Sequence, residues 1–437
     1  MVTDRWPRGG CQLDRVEAFF DDEGAVANAG LLLASTLAER LTLEALIDQT
    51  VRLGERPGAA NAGAKVLSLV HAMLLGADSI DDCDVLRAGA SGAVLAHRVL
   101  APSTLGTFLR SFTFGHVRQL DRVLGEALRR AWQAGAGPGS GRLVIDLDSF
   151  VCEVHGDHKH GAGYGYTRQL GYHPLVATRA DTQETLHIRL RHGSANTQRG
   201  ARRFVDELAA RVRRAGAAGE ILVRADSGFW AYATIAALER HGMRYSIGVT
   251  MQRNVRAVVQ AIDEHAWQRL ADYPHGGIAE IAESRLGAHR LIVRRTQLVG
   301  VDAALFPDWR YFAFITNRDD ELALVEQEHR QHAVIELAIR DHKAGPLRHL
   351  PSGRFCANAA WTVIAALAAN LARWTSILGL QAPTPQHAST LRRRLLAVPG
   401  RIVRHGRRRR LRLPARWPWR AAWLACLTRL RGLPRLT

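Results

Sequence analysis

The chain is 437 residues long, with 47% apolar and 23% charged residues, which excludes a wholly disordered, collagenous or coiled-coil protein. Its 59 Lys and Arg against 41 Asp and Glu give a formal charge of +18, so a polyanion is the expected partner and nucleic acid the leading candidate. The five cysteines (Cys11, Cys83, Cys152, Cys356 and Cys426) form no CxxC pair, which argues against a disulfide framework or zinc finger and for a reducing cytoplasm.

Residues 1–22 are polar and charged, so no secretory signal is expected. The longest mainly apolar stretch, residues 359–369, falls short of the ~20 residues that span a bilayer, and the protein reads as soluble. Over residues 1–134 apolar side chains recur at helical spacing, as in Leu31, Leu32, Leu33, Leu37 and Leu41, then Leu43, Leu46 and Ile47. Ser103 or Thr104 is expected to cap a helix running through Phe108, Leu109 and Phe112. Such short helices suit a DNA-reading helix-turn-helix, and equally an ordinary bundle. Residues 135–141, with four glycines and a proline, are expected as a flexible linker at a domain boundary.

Beyond the linker the pattern changes. Residues 143–148 read as a buried strand, with further strands at 172–180 and 185–191. A helix is expected over 197–215, a strand over 221–226, a helix over 231–241 and a strand over 245–250. Three strands, helix, strand, helix, strand is the order of the α/β ribonuclease H-like fold, a mixed sheet with flanking helices. A β-rich insertion, about 255–308, follows, with a short helix near Trp267. The sheet resumes at 311–316, a helix is expected over 321–343, and residues 357–374 read as an apolar core helix. The expected organisation is a helical N-terminal domain (1–134) suited to DNA binding, a catalytic domain (143–374) and an Arg-rich C-terminal region (375–437).

Positive charge is concentrated at that end. Residues 342–437 hold 18 Arg, one Lys and no Asp or Glu, whereas the preceding 341 residues hold 40 basic and 41 acidic side chains. A GC-rich genome explains Arg in place of Lys, but not the missing acids. Arg392, Arg393 and Arg394, then Arg407, Arg408, Arg409 and Arg410, interleave with Trp417, Trp419 and Trp423 and suit phosphate contacts. Whether they form a folded grip or a tail that orders on DNA, binding should depend strongly on salt.

Three acids stand out by position. Asp148 ends the first strand after the linker, Asp226 ends the fourth, and Glu336 lies on the helix after the resumed sheet. Carboxylates at neighbouring strand ends, with one from a crossing helix, can converge on Mg²⁺ or Mn²⁺, which favour oxygen ligands. Two such ions ~3.5–4 Å apart activate a water or a 3′-hydroxyl and stabilise the leaving oxygen of an in-line displacement. Without cations the three carboxylates repel one another. Taken singly, each acid is more simply a turn cap or a solvent-facing residue. Asp146 and Asp148 point to the same side of their strand, so either can be the first ligand with the other in support. His155, Asp157, His158 and His160 invite a zinc reading, but lack a fourth ligand at a familiar spacing, and a loop beside the site is preferred. The glycine-rich 161–166 segment is not a P-loop, so no nucleotide hydrolysis is expected.

In combination, several motifs resemble bacterial insertion-sequence transposases of the DDE type. They are Asp146-Leu147-Asp148-Ser149-Phe150, Val154-His155-Gly156, Gly163-Tyr164-Gly165-Tyr166, Gly171-Tyr172-His173-Pro174-Leu175 and Arg224-Ala225-Asp226-Ser227-Gly228-Phe229. To these are added Glu336, Lys343, the run from Leu350 to Phe355 and Asn358-Ala359-Ala360-Trp361. The resemblance covers about residues 143–374 and is weak over the N-terminal helices. It implies Mg²⁺-dependent cleavage and strand transfer at the terminal inverted repeats of a mobile element, by a homodimer that brings two DNA ends together. Such a protein would be bacterial, cytoplasmic and nucleoid-associated when bound to DNA. The family's first acid precedes a small hydroxyl residue, as Asp148 precedes Ser149. In cut-and-paste relatives the β-rich insertion carries an aromatic that holds a flipped base, with Trp267 as the counterpart. The family's Glu helix carries Tyr-x2-Arg-x3-Glu-x6-Lys; here the same spacing reads His329, His332, Glu336, Lys343, on one helical face. By this resemblance Lys343 contacts DNA phosphate, with His329, His332 and Arg340 beside it. A metal-dependent nuclease of the same fold remains an alternative. So does a non-catalytic DNA-binding protein derived from a transposase, which the two histidines favour and the three retained acids oppose.

Overall fold

In the computed structural model, residues 16–156, 158–165, 168–271, 273, 277–298, 309–382, 384 and 386–436 are described. A short strand β1 (Ala25–Val26) precedes helices α1 (Leu31–Arg40), α2 (Leu43–Thr50), α3 (Ala62–Leu74), α4 (Pro102–Arg110) and α5 (Phe114–Ala131). The helix α4 starts at Pro102, whose fixed φ and missing N–H suit the first turn, so its cap is Ala101 rather than Ser103 or Thr104.

The glycine-rich segment after α5 is pinned rather than free. The Ala136 carbonyl accepts a hydrogen bond from Arg179 Nη1 at 2.8 Å. A Cβ on Gly219 would stand 2.3 Å from the Gly141 carbonyl oxygen, so only glycine permits this approach. One apolar core runs from the N-terminal helices into the sheet beyond.

The chain then forms β2 (Leu143–Ser149), β3 (Cys152–Glu153), β4 (Gly163–Tyr164), β5 (Leu170–Tyr172), β6 (Leu175–Arg179), β7 (Thr185–Arg189), α6 (Ala201–Ala215), β8 (Ile221–Ala225), α7 (Tyr232–Arg240) and β9 (Arg244–Gly248). Strands β2, β8 and β9 pair in parallel, whereas β6 pairs antiparallel with both of its neighbours, β2 and β7. The spatial order β7-β6-β2-β8-β9 is the ribonuclease H-like order. The insertion supplies α8 (Arg253–Gln260), β10 (Gln268–Arg269), β11 (Gly277–Leu286) and β12 (His289–Leu298), and β13 (Arg310–Thr316) returns beside β9. It therefore widens the same sheet instead of forming a separate body.

The single helix expected over 321–343 is two, α9 (Leu322–Arg330) and α10 (Ile335–Lys343), joined by a tighter turn at Gln331–Val334. Next come α11 (Phe355–Trp374), α12 (Ala388–Leu391), β14 (Gly400–His405), β15 (Arg408–Arg412) and α13 (Arg420–Gly432). With its continuation to Leu380, α11 is long and apolar enough to cross a membrane, yet 83% of its apolar window is buried inside the protein. It packs on α3, α5 and β7 as a core helix. Its Asn370 clamps the edge strand β7, accepting from Thr185 N at 2.7 Å and donating to Thr185 O at 2.9 Å. Trp132 and Trp374 both donate to the fully buried Glu184 carboxylate, tying the end of α5 to the sheet and α11.

The Arg-rich region is folded onto the N-terminal helices. Strand β14 pairs with both β1 and β15, and α13 lies on α1 with Trp423, Cys426 and Leu430 buried. The Leu436 amide donates to the Arg40 carbonyl at 2.9 Å, and the Thr42 hydroxyl donates to the Leu436 carbonyl at 2.5 Å.

Candidate active site

The parallel pairing of β2 and β8 sets Leu147 opposite Ala225, so Asp148 and Asp226 are the next positions along adjacent strands at one sheet edge. Alternation puts Asp146 and Asp148 on one face of β2. There Arg224 donates from Nε and Nη2 to the two Asp146 oxygens, at 2.7 and 2.8 Å. The α9–α10 segment crosses this face. Arg224 Nη1 donates to the Glu328 carbonyl at 2.5 Å, and His332 Nδ1 donates to Asp146 Oδ1 at 2.9 Å. Glu336 follows His332 by one helical turn.

The acids differ sharply in environment. Asp146 is wholly buried and bound on both oxygens, whereas Asp148 is half-buried and Asp226 and Glu336 are exposed. Among the described residues no Lys, Arg or His forms an ion pair with Asp148, Asp226 or Glu336. Loss of water pushes the Asp148 carboxyl up to about 6, helped by the charges of Asp226 and Glu336 and opposed by the Ser149 N–H and His332. Crowding by the surrounding protein also raises Asp226, against the Gly228 N–H, His332 and His173. The backbone donors are close: Ser149 N lies 2.6 Å from Asp148 Oδ1, and Gly228 N lies 3.0 Å from Asp226 Oδ1.

A loop braces this edge. Ser149 and Thr197 share a hydroxyl hydrogen bond of 3.0 Å. Arg191 donates to the carbonyls of His173, Asn196, Thr197 and Arg199, fixing the loop next to the acids. The backbone of the motif glycines Gly163 and Gly171 is approached closely by Gly193, on which a Cβ would stand 2.0 Å from Gly171 O and 2.3 Å from Gly163 O. Sequence reasoning missed Arg191 and Thr197, because nothing in their local pattern marks a loop brace.

The other expected site residues divide into inward and outward groups. His329 stacks on Phe314 at 4.0 Å and bonds Ser246 Oγ at 2.6 Å; burial, with His332, Arg224 and Arg294 nearby, pushes it down to about 3. Like His332 on Asp146, it is engaged inside the protein rather than presented to DNA. Arg392 Nε donates to the Leu74 carbonyl at 3.0 Å, capping the C-terminal end of α3 instead of facing outward. Lys343, Arg340, Arg393 and the four arginines Arg407, Arg408, Arg409 and Arg410 are exposed. Trp267 is half-buried, with Arg295 over its ring at 4.2 Å and Tyr311 edge-on at 6.1 Å. Because Phe314 pairs with Gly248 at the end of β9, the start of β13 runs past the same sheet edge as Asp148 and Asp226. It carries the part-exposed Tyr311 and Phe312 there.

No metal set gathers around His155, His158 and His160 among the described residues, and Asp157 lies outside them. The group of ligand atoms within 4.8 Å of one another is instead Asp121, His187 and Glu207, between α5, β7 and α6. Asp148, Asp226 and Glu336 stand wider than that. The Asp121 group is already neutralised: Arg211 reaches Asp121 at 2.6 Å, Arg118 reaches Asp121 at 3.1 Å and Glu207 at 3.0 Å, and Arg189 also binds Glu207. Burial works to raise Glu207, but His187, Arg189 and Arg118 outweigh it and bring it down to about 2. Guanidinium groups occupy the place a metal would take, so this is a buried ionic seam between helices and sheet.

Residues 10–435 match the family model described as Transposase DDE domain group 1. No curated protein matches the chain. Among solved structures, a cryo-EM structure of piggyBac transposase synaptic complex with hairpin DNA is similar at 12% identity. The similarity covers 85% of this chain and 79% of that one, with a TM-score of 0.48.

Proposed function

The chain belongs to the family of transposases with a DDE domain, group 1, and from that membership we propose that it cuts DNA at the terminal inverted repeats of an insertion sequence and joins the freed ends to a target. What supports this reading is that, among the described residues, Asp148 and Asp226 at adjacent strand ends and Glu336 on the helix that faces them have no ion-pair partner, and that the charges of Asp226 and Glu336 help raise Asp148. Their mutual repulsion costs stability, and an all-oxygen donor set fits Mg²⁺, or Mn²⁺ in its place. When bound, such cations activate the attacking water or 3′-hydroxyl and stabilise the departing oxygen.

The protein's own groups do the rest. Asp148 and Asp226 would hold the cations from fixed strand ends, and Glu336 from the facing helix. Asp146, already bound on both oxygens, acts as support rather than ligand. Lys343, Arg340, Arg393 and the β14–β15 arginines supply phosphate contacts, which fix position without reading sequence. Trp267, Tyr311 and Phe312 offer aromatic surface to nucleotides beside the cut. Two copies would hold two ends together.

The test uses the full chain, a labelled inverted-repeat end and Mg²⁺. The expected result is cleavage and a joined product, both lost in Asp226→Asn while DNA binding persists. Cleavage of random DNA with no joined product would make it a nuclease instead. Binding without cutting in either Mg²⁺ or Mn²⁺ would overturn the catalytic reading.

A further inference from the structure

We propose that His332 is a nitrogen ligand of the divalent-cation site, aimed by Asp146 and Arg224, so that the site is a mixed oxygen–nitrogen set rather than three carboxylates alone. The inference rests on the reading that Asp148, Asp226 and Glu336 hold cations, and deepens it. His332 donates Nδ1–H to Asp146 Oδ1 at 2.9 Å, and a carboxylate can only accept. In the neutral ring that bond leaves the lone pair on Nε2. Among the described residues Nε2 has no hydrogen-bond partner. The ring is 15% exposed and does not swing freely into solvent.

Its support is rigid. Asp146 is fully buried, and the two Arg224 bonds hold its carboxylate in plane. Arg224 is itself fixed by the Glu328 carbonyl, on the helix that leads into His332. The protonated form of the ring lowers both the Asp148 and Asp226 carboxyls, so it lies beside both, and a bound cation would displace that proton. The ring also precedes Glu336 by one turn, so the same segment brings both donors to the same strand ends. A carboxylate that orients an imidazole and leaves its second nitrogen for a metal is a recurring metal-site arrangement. This accounts for Asp146, an acid bound on both oxygens, and for a histidine in the turn that leads into the Glu336 helix. Asp146 and Arg224 are positioning residues in this scheme.

An imidazole donor favours Mn²⁺ over Mg²⁺ relative to an all-carboxylate site. The test titrates Mn²⁺ alone into the full chain, counting bound ions by electron paramagnetic resonance and reading ¹⁴N coupling by electron spin echo modulation. The expected result is a directly coordinated nitrogen in the wild type that disappears in His332→Gln, with Mn²⁺ affinity about tenfold weaker. Asp146→Asn should keep a nitrogen signal but lose about 10- to 100-fold in affinity. Far-ultraviolet circular dichroism checks that each variant is folded. Bound Mn²⁺ with no nitrogen coupling overturns the proposal and leaves the carboxylate site standing. So does a nitrogen signal that survives His332→Gln, which would pass the role to another ring such as His173. If wild type binds no Mn²⁺, or Asp226→Asn binds it equally well, the cation site itself is misassigned.

Discussion

Asp146 and Asp148 sit two residues apart on one strand and should respond oppositely to loss of charge. Asp148 is raised from 3.8 to about 6, so between those values the folded chain holds a proton that the unfolded chain releases. Stability therefore falls as pH rises through that window, and the full penalty is present above about pH 6. Asp148→Asn should raise the melting temperature of the metal-free protein at pH 8 by roughly 1–3 °C, with the gain gone at pH 4. Mg²⁺ should stabilise wild type but not this variant. A lower melting point for the variant at pH 8 would show that the Asp148 charge carries no such penalty. Asp146→Asn, by contrast, leaves the buried Arg224 guanidinium without its counter-charge, a loss of about 3–5 kcal/mol. Strand alternation left both acids open as the first ligand, since it puts both on one face, and only the resemblance, through Ser149, favoured Asp148. What separates them is Arg224, whose place opposite Asp146 depends on strand register.

At the scale of elements, the strands were legible because buried β2 and β8 are nearly continuous apolar runs ending in an acid. The helix break at Gln331–Val334 was not, because a tight turn between two helices preserves helical spacing in the sequence. That break goes with His329 turning towards Phe314 and His332 towards Asp146, so the outward face expected from regular spacing does not form. The β14–β15 hairpin was also missed. Its arginines hide the apolar alternation of a strand, and of its side chains only Ile402, Val403 and Leu411 are partly covered. Gly406, at φ +58° in the two-residue turn, closes it. Replacing Arg407, Arg408, Arg409 and Arg410 together by Ser should leave the melting temperature within about 1 °C, since surface changes are nearly neutral. It should flatten the slope of log binding constant against log salt by about 3–4 units. An unchanged slope in fluorescence-anisotropy titrations would remove the hairpin from the DNA interface.

For the whole molecule, the segments read separately along the sequence share one apolar core, which runs from α1 through α11 into the sheet. The composition shift at residues 135–141 suggested a tether because glycine reports backbone freedom and says nothing of the Arg179 and Gly219 contacts that remove it. Calorimetry should accordingly show a single transition rather than separate N-terminal and catalytic ones. Deleting residues 414–437 strips Trp423, Cys426, Leu427 and Leu430 from the surface of α1 and should lower the melting temperature by at least about 5 °C, if the product remains folded at all. A truncated chain that melts with the full one would show that α13 is an appendage.

The seam between α1 and α13 also sets an order on synthesis. The Arg40 carbonyl and the Thr42 hydroxyl are bound by Leu436, nearly four hundred residues later, so this end of the first helix stays unsealed until residues 420–436 have left the ribosome. A nascent polypeptide still attached before that point lacks the cover that α13 gives α1. A gene copy interrupted before codon 420 would then yield a protein more open to proteolysis, even with Asp148, Asp226 and Glu336 intact.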